Sequence, residues 1–247
     1  MPSDMFSAIE PIELTTSAAI VVATLSFALA RTGGGRLRAA AAFGAWFAVV
    51  VTLGATGALG AVQGIGTPGL GLAVTLPILG LCLVLFRLPS ARAAIAAIPL
   101  PALIAVNTVR VLGFSFILLY VAGRLPAPFA PLAGWGDLFV GLTAGPVAWL
   151  VAKHGERVRP LLLGWNLIGL LDLVTAIGLG ATSAPGPLQL FRGPPDSGIM
   201  TTLPWILIPA FIVPSLVACH IAIFQRLGRR EAASRLAAAA GPLHPTW

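Results

Sequence analysis

Long apolar runs separated by short polar clusters dominate this chain. Seven of them, at about 12–30, 39–60, 70–86, 100–122, 133–152, 160–181 and 200–225, read as helices that cross a bilayer. A span needs ~20 apolar residues because a helix rises ~1.5 Å per residue through a ~30 Å hydrocarbon core. The pattern predicts an all-α, polytopic transmembrane bundle of seven spans, with residues 1–225 as one membrane domain and 226–247 as a basic cytoplasmic tail. The fourth run starts at Pro99 and Pro101, residues that suit a helix start because the first turn needs no N–H partner. The N-terminal stretch "MPSDMFSAIEPIEL" lacks the basic region of a cleaved leader, so the first run reads as a permanent span.

The charges sort by loop. Arg31, Arg36, Arg38, Arg87, Arg92, Lys153, Arg157, Arg159, Arg226, Arg229, Arg230 and Arg235 all fall on one side if the spans number seven, which is twelve of the fifteen basic residues. The other side carries Arg124 and Arg192 beside Asp4, Glu10, Glu13 and Asp196. Since cytoplasmic loops collect Lys and Arg, the N-terminus is expected outside and the C-terminus in the cytoplasm. The tail "RLGRREAASRLAAAAG" reads either as a helix lying on anionic headgroups or as a continuation of span seven. Residues 182–199, rich in Pro and Gly, read as an irregular outer cap. Spans one to three and five to seven align loosely at an offset of about 120 residues, which raises a three-one-three internal repeat of the kind transporters use.

Composition agrees. The 247 residues are 57% hydrophobic and 9% charged, with a mean hydropathy of +0.96. The net charge of +7 would suggest nucleic acid in a soluble protein, but here it lies in membrane-side loops, so no nucleic acid is expected. Cys82 and Cys219 lie inside apolar runs and do not indicate a disulfide framework. The Ala, Gly and Arg usage suits a GC-rich bacterium, and the location expected is its cytoplasmic (inner) membrane.

One feature needs chemistry. Arg110 lies ~15 Å from one end of span four and ~18 Å from the other, at the bilayer midplane. A lone arginine there costs roughly 2.5–3.5 kcal/mol even on the most lenient scale, so it needs a carboxylate, a hydrated cavity or both. Asp172 in span six matches its depth and is the expected direct partner. Asp137, read as ~6–8 Å below the outer surface in span five, is a second carboxylate one or two turns away. Gly141 and Gly145 follow Asp137 at i+4 and i+8, a small-residue stripe that turns Asp137 into the bundle. Asn107 can present its amide beside the guanidinium. Asn166 and His220 read as a separate polar layer nearer the cytoplasm. Pro204, Pro209 and Pro214 bend span seven and suit a cavity in the outer half.

The candidate ligand- or ion-binding set is therefore Arg110, Asp172, Asp137 and Asn107, with Asn166 and His220 behind it. A buried Arg–Asp pair reads equally as a device that fixes helix register. Retinal chemistry is excluded because the sole lysine, Lys153, is in a loop. No phosphate-binding loop, hydrolase elbow or cysteine–histidine metal spacing is present, so no metal, cofactor or catalytic residue is assigned. The expected function is a small transporter or channel-like protein acting on a small anionic solute or a proton. An accessory or assembly subunit with membrane partners or copies of itself is the alternative. A cofactor-binding protein using His220 is the third reading.

Overall fold

The computed structural model describes Ala19, residues 35–60 and residues 66–239. Apart from Ala19, the first expected span, 12–30, and the last residues of the tail lie outside this range. The described residues form helices and no strands. In chain order they are α1 (Gly35–Ala55), α2 (Thr67–Arg87), the short α3 (Pro89–Ala97), α4 (Leu100–Val121), α5 (Phe129–His154), α6 (Arg159–Ser183) and α7. The last begins as a π-helical turn, Ile208–Ile212, and continues as an α-helix, Val213–Ala239.

Five of these helices, α2 and α4 to α7, are long and apolar enough to cross a membrane, and α1 contains a shorter apolar stretch, Ala40–Ala55. Large side chains point outward along them: Leu72, Leu76 and Leu79 on α2, Trp135, Phe139 and Leu142 on α5, and Leu171 and Val174 on α6 are each at least half exposed. Water would penalise such continuous apolar faces, whereas hydrocarbon does not. The chain is a multi-pass helical membrane protein.

Two departures from the expected spans matter. The seventh helix starts at Ile208 rather than at residue 200, because Gly198–Thr201 is a separate 3₁₀ turn and the chain from 202 to 206 stays in bends and turns. At its far end the same helix runs unbroken into the basic tail, so residues 226–239 continue the span instead of forming a second element. The stretch between α2 and α4, expected to be a loop, carries α3.

Neighbouring contacts give the direction of each rod. Gly113 and Gly141 place α4 antiparallel to α5, and Gly136 beside Asp172 with Gly180 beside Phe129 places α5 antiparallel to α6. Gly169 meets His220, and Leu162 lies near Leu227, so α6 is antiparallel to α7. Phe43, Trp46 and Phe47 of α1 surround Phe211, while Gly54 lies on Leu203 and Ile206. Arg87, Lys153, Arg159 and Arg226 therefore gather at one end of the bundle, and Arg124 and Arg192 at the other. The Arg226 guanidinium donates to the Ile98 carbonyl, tying α7 to the start of α4 at the basic end.

Two helices depart from α geometry inside the bundle. Val106–Leu112 of α4 is 3₁₀. Its sequence, VNTVRVL, is rich in β-branched residues, and the Asn107 amide donates back to the Leu103 and Ile104 carbonyls at 3.2 and 3.3 Å. Both features weaken the ordinary i→i−4 ladder. In α7, Pro209 and Pro214 remove two backbone donors, and the helix widens into a π turn between them.

The stripe behind Asp137 is half as expected. A Cβ on Gly141 would lie 2.5 Å from the Val111 nitrogen and 2.8 Å from the Arg110 carbonyl carbon, so α5 rides directly on the α4 backbone there. Gly145 meets nothing within 4 Å and is not part of the contact. Gly141→Ala is expected to destabilise by about 1–3 kcal/mol, since backbone cannot move aside as a side chain can. Gly145→Ala, in contrast, should be neutral or stabilising by up to ~1 kcal/mol through helix propensity. Thermal melts of the two variants in detergent check the pair.

Candidate functional site

Arg110 sits in the 3₁₀ stretch of α4 with its side chain only 1% exposed. Its Nε donates to Asp137 Oδ1 on α5 at 2.6 Å, and its Nη2 donates to Asp172 Oδ2 on α6. Nη1 donates to the Gly169 carbonyl at 3.0 Å and faces His220 Nε2 on α7 at 3.4 Å. One guanidinium thus joins four helices. Its planar fork of donors is what allows this, since an ammonium could not hold several acceptors in fixed directions.

Both carboxylates bind the arginine at once. Asp137 packs beside Gly113, about one turn along α4 from Arg110 as its expected depth implies, and the long arginine side chain reaches it there. Glycines make room for this. A Cβ on Gly136 would collide with the Asp172 carboxylate, and one on Gly113 with Asp137 Cβ.

Asn166 and His220 belong to the same network and not to a separate layer. His220 Nδ1 lies 2.7 Å from Asn166 Oδ1, and the Asn166 amide donates to the His220 carbonyl at 3.0 Å. A guanidinium nitrogen only donates, so Nε2 is the accepting nitrogen and Nδ1 carries the proton given to Asn166. Trp165 stacks at a tilt 5.8 Å from the imidazole and donates its own N–H to Thr143 at 2.9 Å. Both Asn166 and His220 are fully buried. Asn166→Ala would leave the buried imidazole N–H without its acceptor, so a loss of about 1–3 kcal/mol is expected, measured as a lowered melting temperature.

Asn107 does not stand beside the guanidinium. It lies 0% exposed, its amide is spent on its own helix, and its Oδ1 has no hydrogen-bond partner among the described residues. Sequence spacing missed the Gly169 carbonyl as an acceptor for Arg110. The signal available was a glycine three residues before Asp172, on the same helical face.

The arrangement has a charge imbalance. Two carboxylates meet one guanidinium, and the imidazole accepts from that same guanidinium, so the ionised cluster carries one surplus negative charge. Arg110 is ringed by protein acceptors, and the space of about 30 Å³ beside it leaves little room for the anionic solute expected of it. The negative side of the cluster is the accessible one: side-chain exposure is 15% for Asp137 and 14% for Asp172.

Above the cluster lies a cavity of about 380 Å³, bounded by α2, α4, α5, α6, the start of α7 and the loop that joins α6 to α7. Its roof is held down by Ser197, whose hydroxyl donates to the Gly180 carbonyl at 2.7 Å, and by Leu190 and Phe191, whose amides donate to the Thr182 carbonyl. Asp137 forms part of its wall, together with Phe116, Phe129, Leu173 and Ile208. A smaller space of about 30 Å³, one water's share of liquid volume, adjoins it and is lined by Arg110 and Asp137. The two share Phe116, Asp137, Leu173, Ile208 and Val213 in their linings.

No curated protein and no solved structure matches the chain. Residues 67–228 match the family model described as Domain of unknown function (DUF8737), a stretch that runs from α2 into α7 and includes every residue of the cluster. With well over half of its length in that match, the chain belongs to the DUF8737 family.

Proposed function

We propose that this protein is a small proton-linked carrier of a bacterial cytoplasmic membrane, with Arg110, Asp137 and Asp172 as its working site and Asn166 and His220 in support. The observation that carries this reading is the surplus carboxylate: two acids and one base buried on three helices, beneath a cavity that reaches Asp137 from one end. In a medium of low dielectric constant an unbalanced charge is costly, so the cluster is stable when something neutralises it. A proton does so, and so does a cation. Intramembrane acids that alternate between such partners are the usual currency of coupled transport.

Among the described residues, the groups facing Asp137 are few. Arg110 comes from α4, Asp172 from α6, and His220 from α7 through the guanidinium, while α2 and the outer loop add only the uncharged Thr75 and Ser197 to its cavity. The 3₁₀ stretch of α4 and the π turn of α7 both border the site, and such departures from α geometry are where helices change register most readily. In this reading the chain spans the membrane seven times, with 12–30 as the first span, the N-terminus outside and the basic end of the bundle in the cytoplasm. The cavity then opens toward the outside.

Proteoliposomes test the reading. Vesicles holding the full chain, with an acid interior and a mixture of small cellular solutes outside, should take up at least one solute with a matching loss of internal protons. Uptake without proton movement, or no uptake by protein that is folded and inserted, contradicts it. Recovery from mild detergent with stoichiometric partner subunits and no uptake would favour an assembly role instead.

A further inference from the structure

We propose that the cavity over Asp137 binds an amphipathic organic monocation, a substituted ammonium with a compact apolar body. This deepens the carrier reading and rests on it. Three observations carry the assignment. The cavity volume, about 380 Å³, lies in the range of sites for small organic molecules. Its lining is apolar almost throughout, and among the described residues Asp137 is the one ionisable side chain in it. That acid belongs to a cluster with one more carboxylate than it has cations.

Each property excludes a ligand class. An inorganic cation would have to shed its water into a chamber that offers little besides Asp137, Thr75 and Ser197 to replace it. An anion would meet the surplus negative charge with Arg110 already enclosed. A neutral hydrocarbon or lipid tail would fill the space but leave the charge unbalanced. A monocation with an apolar body satisfies both demands together. Phe116 and Phe129, packed edge to face with centroids 5.5 Å apart, put aromatic surface in the same wall, and a cationic head is attracted to aromatic faces.

The exchange balances one for one. If a proton neutralises the surplus carboxylate before binding, the arriving monocation takes its place on the oxygen's charge and the proton leaves to solvent. The cluster keeps the same total charge before and after. No bond other than O–H is broken.

The test uses the full chain in nanodiscs, with empty nanodiscs as the background, and equilibrium dialysis of two probes. Benzyltrimethylammonium carries the charge, and neopentylbenzene is its uncharged carbon isostere. The cation should bind at least about tenfold more tightly than the hydrocarbon, and Asp137→Asn should remove most of that preference. Ala176→Phe, which fills the cavity from α6 and changes no charge, should weaken both probes. Equal affinity for the two probes, absence of cation binding to the wild type, or an unchanged cation affinity in both variants would overturn the assignment. Because binding is read without flux, its failure removes the cation assignment alone. Binding that is present while proton-linked uptake is absent removes the carrier reading instead.

Discussion

Replacing Arg110 with methionine is expected to lower stability by about 3–5 kcal/mol, the usual result of removing one partner from a buried ion pair. The loss is large because two carboxylates, the Gly169 carbonyl and His220 Nε2 all face this one side chain. Without it, Asp137 and Asp172 would face each other with no cation between them. Arg110→Lys should recover only part of the loss, because an ammonium keeps the charge but cannot fork to acceptors on four helices. The triple change of Arg110→Met, Asp137→Asn and Asp172→Asn should recover most of it, since removing every charge also removes the cost of burying them. Melting curves in one detergent, with gel filtration to confirm monodisperse protein, measure all three. A loss under ~1 kcal/mol for Arg110→Met would mean the cluster is far better solvated than its burial implies.

The second large effect is expected from a residue with no charge. In Gly136→Ala the added methyl would occupy the place of the Asp172 carboxylate, so the Arg110–Asp172 pair must break or α5 and α6 must separate. A loss approaching that of a broken buried pair, ~3 kcal/mol or more, is expected. Pairing it with Asp172→Ser distinguishes this cause from general crowding. The two changes act through one contact, so their combined effect should fall short of the sum by roughly 0.5–3 kcal/mol. Strict additivity would mean that Gly136 and Asp172 act independently.

Much of the bundle is legible in the sequence, for a plain reason. A bilayer imposes a length and an apolarity on every span, so hydropathy places the ends of α2, α4, α5 and α6 within four residues. The start of α7 is missed because Trp205 and Ile206 are apolar and buried like span residues, although they lie in turns. Equal depth along straight rods pairs Arg110 with Asp172. What depth cannot supply is lateral reach: the arginine side chain extends far enough to gather Asp137 and His220 from other levels, so one network reads as two layers. Asn107 is misplaced because a buried asparagine can satisfy its amide on its own helix, a choice that spacing does not reveal. The prolines of span seven suggest a cavity, but its shape and lining are not legible in the sequence, since its roof is the irregular segment folded back by Ser197 onto the end of α6.

Asp137 offers the most direct test, through its conversion to asparagine. The substituted amide would keep an oxygen able to accept from Arg110 Nε while reducing the cluster to one anion and one cation. Asp137→Asn protein is expected to insert and to melt within ~1 kcal/mol of the wild type, yet to show no proton-linked uptake in proteoliposomes matched for folded protein. Wild-type uptake by this variant, or a collapse of its fold as severe as that of Arg110→Met, would make the cluster a staple between helices and contradict its role as a site.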